Sequence, residues 1–110
     1  MRVLRFIVND QIIERDSSCD FSNLVPGSEG YVIAEFSFSP EWSKCTAKVA
    51  SFWSLMGGEY TPQLLDSKNR CLIPAEALAR RQFKVKVMGK TGDVKIATNK
   101  VTVSQTGGKV

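Results

Sequence analysis

Histidine is absent from this 110-residue chain, so the side chain that most often serves as a general base is missing. A serine or cysteine nucleophile would have to rely on a lysine or a carboxylate, and no motif in the sequence supports such a pair. The two Gly-Gly pairs, 57–58 and 107–108, have the composition of turns and linkers rather than of a phosphate-binding loop. We therefore predict no enzyme activity, no catalytic residue and no cofactor.

Cysteine is scarce and widely spaced, at Cys19, Cys45 and Cys71. A structural metal site needs ligands at close spacing, such as two cysteines separated by about two residues. The sequence therefore predicts no metal site. Because the number of cysteines is odd, at least one thiol is free or paired with another chain, and we expect reduced, partly buried thiols.

Carboxylates crowd into one short segment, where Asp10, Glu14, Asp16 and Asp20 follow each other closely. Paired carboxylates can hydrolyse glycosides, and clustered carboxylates can bind calcium. This segment is rich in serine and lacks the Asp-x-Asp-x-Asp-Gly spacing of a calcium loop. We expect solvated charges on a loop.

Long apolar runs are also missing, since no stretch approaches the roughly 20 residues that cross a bilayer. The N-terminal residues lack the apolar core and the cleavage site of a signal peptide. We therefore expect synthesis in a cytoplasm and no membrane partner.

Charge is distributed unevenly along the chain. Residues 1–66 contain five Lys/Arg and nine Asp/Glu, a net charge of −4, whereas residues 67–110 contain ten and two, a net charge of +8. A basic half can bind nucleic acid. Lysines also form the solvated faces and guarded edges of sheets, and because we favour that interpretation a nucleic-acid partner is not expected. A third interpretation is that acidic and basic faces meet between neighbouring subunits.

Short alternating segments separated by turns dominate the sequence. In residues 30–38 the positions Val32, Ala34 and Phe36 share one phase, which indicates a half-buried strand. The phases of residues 44–54 are mixed, so their inward face stays open. Segments with strand character are 3–8, 11–14, 30–38, 44–54, 59–65, 70–73, 82–89 and 94–103. The first two are expected to pair as a hairpin around the turn residues Asn9-Asp10, and in 82–89 the positions Phe83, Val85 and Val87 are expected to face inward.

This spacing predicts an all-β fold, an immunoglobulin-like β-sandwich of about seven or eight short antiparallel strands. One short helical turn is expected near residues 75–80, where Pro74 precedes a run of helix formers. Residues 1–103 are predicted to form a single domain, and residues 104–110 have the composition of a flexible C-terminal tail.

The two tryptophans and the apolar segment after the second one are the candidate interaction residues. Trp42 and Trp53 can pack in the core, stack on a sugar or anchor a partner. We expect Trp42 to close one end of the sandwich. Leu55 and Met56 follow Trp53 and are unusually apolar for a turn, so the predicted interface comprises Trp53, Leu55, Met56 and Trp42.

Five segments in this order resemble a domain known from viruses. They are a strand ending in Glu-Trp (36–42), a strand ending in Phe (47–52), a Cys-Leu-Ile-Pro-Ala-Glu-Ala-Leu turn (71–78), a Val-x-Val-x-Gly strand (83–89) and a Thr-Asn step (96–99). The set resembles the N-terminal β-sandwich domain of fibre and baseplate-type structural proteins of tailed bacteriophages that infect Gram-positive bacteria.

The resemblance implies a virion structural protein that acts by self-assembly and docking. The expected locations are the tail, the baseplate, the fibre base, or a head fibre or decoration. Other virion proteins are the implied partners, a homo-oligomer is expected, with a trimer favoured, and synthesis takes place in the host bacterial cytoplasm. Two alternatives stay open: a carbohydrate-binding β-sandwich module and a nucleic-acid-binding β domain.

Overall fold

The chain folds into two β-sheets, as its alternating segments predict. The computed structural model describes residues 1–106. Within that range the strands are β1 (Arg2–Asn9), β2 (Ile12–Arg15), β3 (Val32–Phe38), β4 (Ala47–Trp53), β5 (Gln63–Leu64), β6 (Arg70–Leu72), β7 (Gln82–Thr91), β8 (Val94–Ala97) and β9 (Val101–Ser104). A 3₁₀ turn at Pro40–Trp42 and the helix α1 (Ala75–Leu78) accompany them, and α1 corresponds to the helical turn expected near residues 75–80.

The first sheet has the strand order β2–β1–β3–β6. β1 and β2 form the predicted N-terminal hairpin, and Asp10 supports its tight turn with a positive φ of 54°. β2 pairs with one edge of β1, and β3 pairs with the other edge. β3 begins at the same end of the sheet as β1. It therefore runs parallel to β1, with Arg2 opposite Val32, and the prediction of an entirely antiparallel arrangement is wrong for this pair.

The second sheet has the order β5–β4–β7–β8, and β9 also pairs with β7. The sequence predicted one strand over residues 94–103, but the register changes within it: Met88 lies opposite Ala97, whereas Val85 lies opposite Val101. One extra residue is therefore accommodated as a bulge between β8 and β9. At this bulge the Val87 N–H donates to Thr98 Oγ1 at 3.1 Å, and the Thr98 N–H donates to Val87 O at 3.1 Å.

One apolar core lies between the two sheets. In β3 the phase of Val32, Ala34 and Phe36 is buried, as expected for one side of a half-buried strand. In β7 the structure confirms the predicted inward phase, since Phe83, Val85 and Val87 are fully buried. In β4 the inward face, left open by the sequence, belongs to Ala50 and Phe52. The largest buried apolar side chains are Trp42, Phe6, Phe52, Phe83, Leu4, Ile13, Ile73 and Leu78.

The end of the second sheet extends beyond the predicted domain boundary at residue 103. Ser104 belongs to β9, and Gln105 is 5% exposed. The Gln105 side-chain amide donates to Leu78 O at 2.9 Å and to Arg80 O at 2.7 Å. The first residues of the predicted tail thus lie against the fold, and residues 107–110 lie outside the described range.

Candidate interaction surfaces

Trp42 is the residue of the predicted interface that the structure places in the core. It is 0% exposed, and its indole N–H donates to Asp10 O at 2.8 Å. Its ring lies 5.0 Å from that of Phe38, and a Cβ on Gly89 would approach it to 3.0 Å. Trp42 therefore fastens the β1–β2 turn to the 3₁₀ turn, and in this conformation no partner can reach its ring.

Trp53 lies on the other side of the second sheet, at the end of β4. It is partly exposed, and the Lys100 ammonium sits 3.7 Å from its ring centroid, close enough for a cation–π interaction. Its cross-strand neighbour is Lys84. The indole nitrogen is buried and has no hydrogen-bond partner.

The residues after Trp53 form a projecting turn, called here the Met56 tip (residues 54–58). The Ser54 N–H donates to Gly58 O at 2.8 Å, and Gly57 has a positive φ of 98°, which favours glycine. Leu55 is half-buried, whereas Met56 is 90% exposed. The burial of Trp42 therefore leaves Trp53, Leu55 and Met56, which follow closely in the chain, as the interface candidates.

A second apolar surface, which the interpretation of the sequence missed, lies on the outer side of the first sheet. Val3, Ile33 and Leu72 are cross-strand neighbours and form one apolar row. Ile7 and Ile12, which are 41% and 50% exposed, lie further along the same side. We call these five residues the apolar sheet face. The sequence does contain an indication of this surface, because aliphatic residues occur in both phases of β1 and β3 and one phase of each strand must face outward.

A row of charges separates the two halves of the apolar sheet face. The Arg5 guanidinium donates to Glu35 at 3.0 Å, and the Arg70 guanidinium donates to the other carboxylate oxygen. The hydrogen bond from Arg70, followed by that from Arg5, holds the pKa of Glu35 below its ordinary value. The charges in this row are therefore paired.

The outer side of the second sheet has a different character, since its β7 side chains are basic. We call Lys84, Lys86, Lys90, Lys95 and Lys100 the lysine face. Lys84, Lys86 and Lys90 share one side of β7, with Met88 between the last two, and Lys95 is the direct cross-strand neighbour of Lys90. Both ion pairs found within residues 1–106 involve Glu35, so none of these lysines has a carboxylate partner there.

Comparisons of the chain with protein-family models, with curated proteins and with solved structures give no match. Among the described residues no helix has the length and apolar character that a membrane crossing requires. The three cysteines are free and separate from one another. Burial raises the pKa of the Cys71 thiol to about 12, with a smaller contribution from Asp66.

Proposed function

We propose that this chain is a non-catalytic assembly module, a structural component of a tailed-bacteriophage virion that docks through exposed apolar surface. The observation that carries the proposal is the apolar sheet face, which exposes large aliphatic side chains on a sheet side that monomeric proteins usually keep polar. Locations in the tail, baseplate, fibre base, or a head fibre or decoration are all compatible with it.

The resemblance to bacteriophage structural proteins supports this proposal, because its five segments correspond to successive elements of the fold. Its segments coincide with β3 and the 3₁₀ turn, with β4, with β6 and α1, with β7, and with β8 and its bulge. The two-sheet architecture with one shared core is compatible with an immunoglobulin-like sandwich, and we include that finer fold in the proposal.

A second copy of the chain is the occupant that we assign to the apolar sheet face. Covering aliphatic surface contributes about 25 cal/mol per Å² of buried area, so several Ile and Leu side chains can supply much of an association energy. In the Arg5–Glu35–Arg70 row both guanidinium groups bind the one carboxylate, so covering the row would not leave that carboxylate without a partner. Copies related by symmetry then form a closed homo-oligomer, for which the resemblance favours a trimer.

Sedimentation velocity at increasing protein concentration tests the proposal. We expect the wild-type chain to form a discrete oligomer and the double variant Ile7→Lys/Leu72→Lys to be monomeric, because ammonium groups would then be buried in the contact. The matched control is Val94→Lys, which replaces an exposed valine outside the face. A wild-type chain that stays monomeric at millimolar concentration and binds no virion protein would overturn the proposal.

The carbohydrate-binding alternative loses one of its two aromatic platforms, because the Trp42 ring is buried. Trp53 keeps a partly accessible ring, but Lys100 occupies one face of it. A glycan array without hits, together with Trp fluorescence that does not respond to sugars, would remove this alternative.

A further inference from the structure

The lysine face concentrates positive charge on one flat surface. Side chains at alternate positions of a strand are about 7 Å apart, and neighbouring strands are about 4.8 Å apart. Lys90 and Lys95 lie directly opposite each other, an arrangement of like charges that destabilises a sheet. Within residues 1–106 no carboxylate lies within ion-pair distance of either lysine.

Three of the chain's own carboxylates already have partners within the chain. Glu35 is already held by two arginines. Asp16 and Asp20 accept hydrogen bonds from Ser18 and Ser22 in their own turns. Asp16 and Asp20 are thus committed to their own turns, and the lysine face is free to take its anion from another molecule.

Two buried polar atoms lie on the same side of the sheet as the lysines. Ser51 is 0% exposed and its hydroxyl has no hydrogen-bond partner, and the Trp53 indole nitrogen is equally without one. Their cross-strand neighbours are Lys86 and Lys84. A buried polar group without a partner costs about 1–3 kcal/mol.

We propose that the lysine face, with Trp53 at its margin, binds the phosphodiester backbone of single-stranded nucleic acid. This goes beyond the proposed assembly role and replaces the expectation from sequence that the lysines are only solvated. Phosphates lie along the β7 lysines, and a base displaces the Lys100 ammonium from the Trp53 ring and stacks there. Lys100 then pairs with a phosphate.

Fluorescence anisotropy with a labelled oligothymidylate, measured over a range of salt concentrations, tests this proposal. The slope of log K against log[salt] changes by about 0.7 for each phosphate neutralised on a single strand. We expect Lys84→Ala/Lys86→Ala to reduce the slope by about 1.4, because two phosphate contacts are lost. The control Arg15→Ala/Lys68→Ala removes the same charge from outside the lysine face and should leave the slope unchanged.

A second readout is the quenching of Trp53 emission by the oligonucleotide, which should disappear in Trp53→Phe while Trp42 still emits. Absence of binding at low salt, or an equal loss in both double variants, would overturn the proposal. Binding of polyglutamate with the same slope and without quenching would assign the face to an acidic protein instead. Sedimentation of the Ile7→Lys/Leu72→Lys variant reports on assembly separately, so either proposal can fail without the other.

Discussion

Trp42 and Trp53 occupy regions of opposite character, although the sequence allows the same interpretations for both. Trp42 is fully buried, with its N–H bonded to Asp10 O. Trp53 is partly exposed, with its N–H unpaired and a lysine over its ring. The difference shows that one tryptophan fastens two turns inside the fold, whereas the other lies at the margin of a basic surface with its N–H unpaired.

The largest expected effect separates the two tryptophans directly. Trp42→Ala should lower the free energy of unfolding by about 3–5 kcal/mol, because it leaves a large cavity and an unpaired Asp10 carbonyl. Trp53→Ala should cost only about 1 kcal/mol, mainly from the lost cation–π contact. Urea denaturation monitored by circular dichroism measures both, and equal losses would contradict the comparison.

The variant Gly89→Ala tests how tightly the core is packed around Trp42. A Cβ at Gly89 would lie 2.6 Å from the Cys45 sulfur and 3.0 Å from the Trp42 ring, so the variant should lose about 1–3 kcal/mol of stability through overpacking. The control Gly58→Ala lies near Trp53, where the nearest contact would be an ordinary 3.5 Å to Ser54. Thermal unfolding of both variants is the measurement. If Gly89→Ala unfolds at the same temperature as the wild-type chain, the core around Trp42 can rearrange to accommodate the added methyl group.

The bulge that presents Lys100 can be tested through Thr98, which is 7% exposed. Thr98→Val removes the acceptor of the Val87 N–H and should cost about 1 kcal/mol. Amide hydrogen exchange should become faster at Val87, and Trp53 emission should shift as the bulge rearranges. Thr102→Val, on the exposed side of β9, is the control, and an unchanged exchange rate at Val87 would contradict this role of the hydroxyl.

The smallest expected effect is on the pH dependence of stability, which the paired charges of the first sheet contribute to and the unpaired lysine face does not. The pKa of Glu35 is lowered in the folded state, so the unfolded state binds more protons as the pH falls. The stabilisation by Arg5 and Arg70 is present above the ordinary glutamate pKa and is lost as the pH falls through the folded value. Urea midpoints at neutral and acidic pH measure this loss, and Glu35→Gln should reduce the pH dependence. If the urea midpoint of Glu35→Gln depends on pH as strongly as that of the wild-type chain, the pH dependence arises from other carboxylates.

Local pattern predicted much of the fold. Nearby residues suffice for the hairpin of β1 and β2, the alternation of β3, the inward phase of β7 and the turn at α1, because alternation and turn chemistry act over a few positions. The parallel pairing of β1 with β3 was not predictable, since it depends on which side of β1 the returning chain occupies. The division of residues 94–103 by a bulge depends likewise on the register with β7.

The candidate surfaces were predicted only in part. Trp53, Leu55 and Met56 are apolar in sequence, and each keeps at least part of its side chain exposed. Trp42 was a wrong choice for an interface because its burial is created by distant residues, among them Asp10 and Gly89. The apolar sheet face arises from strands that are far apart in sequence, so only their pairing reveals it.

By itself the sequence determined an all-β chain: strands whose side chains alternate between two sides, short turns between them, and an excess of lysine in the second half. Tertiary structure alone decided which tryptophan is buried, which strands are neighbours and how five lysines come to share one surface. The physical reason is that alternation assigns a side chain to one side of its own strand, whereas burial and charge density depend on what the rest of the chain places against that side.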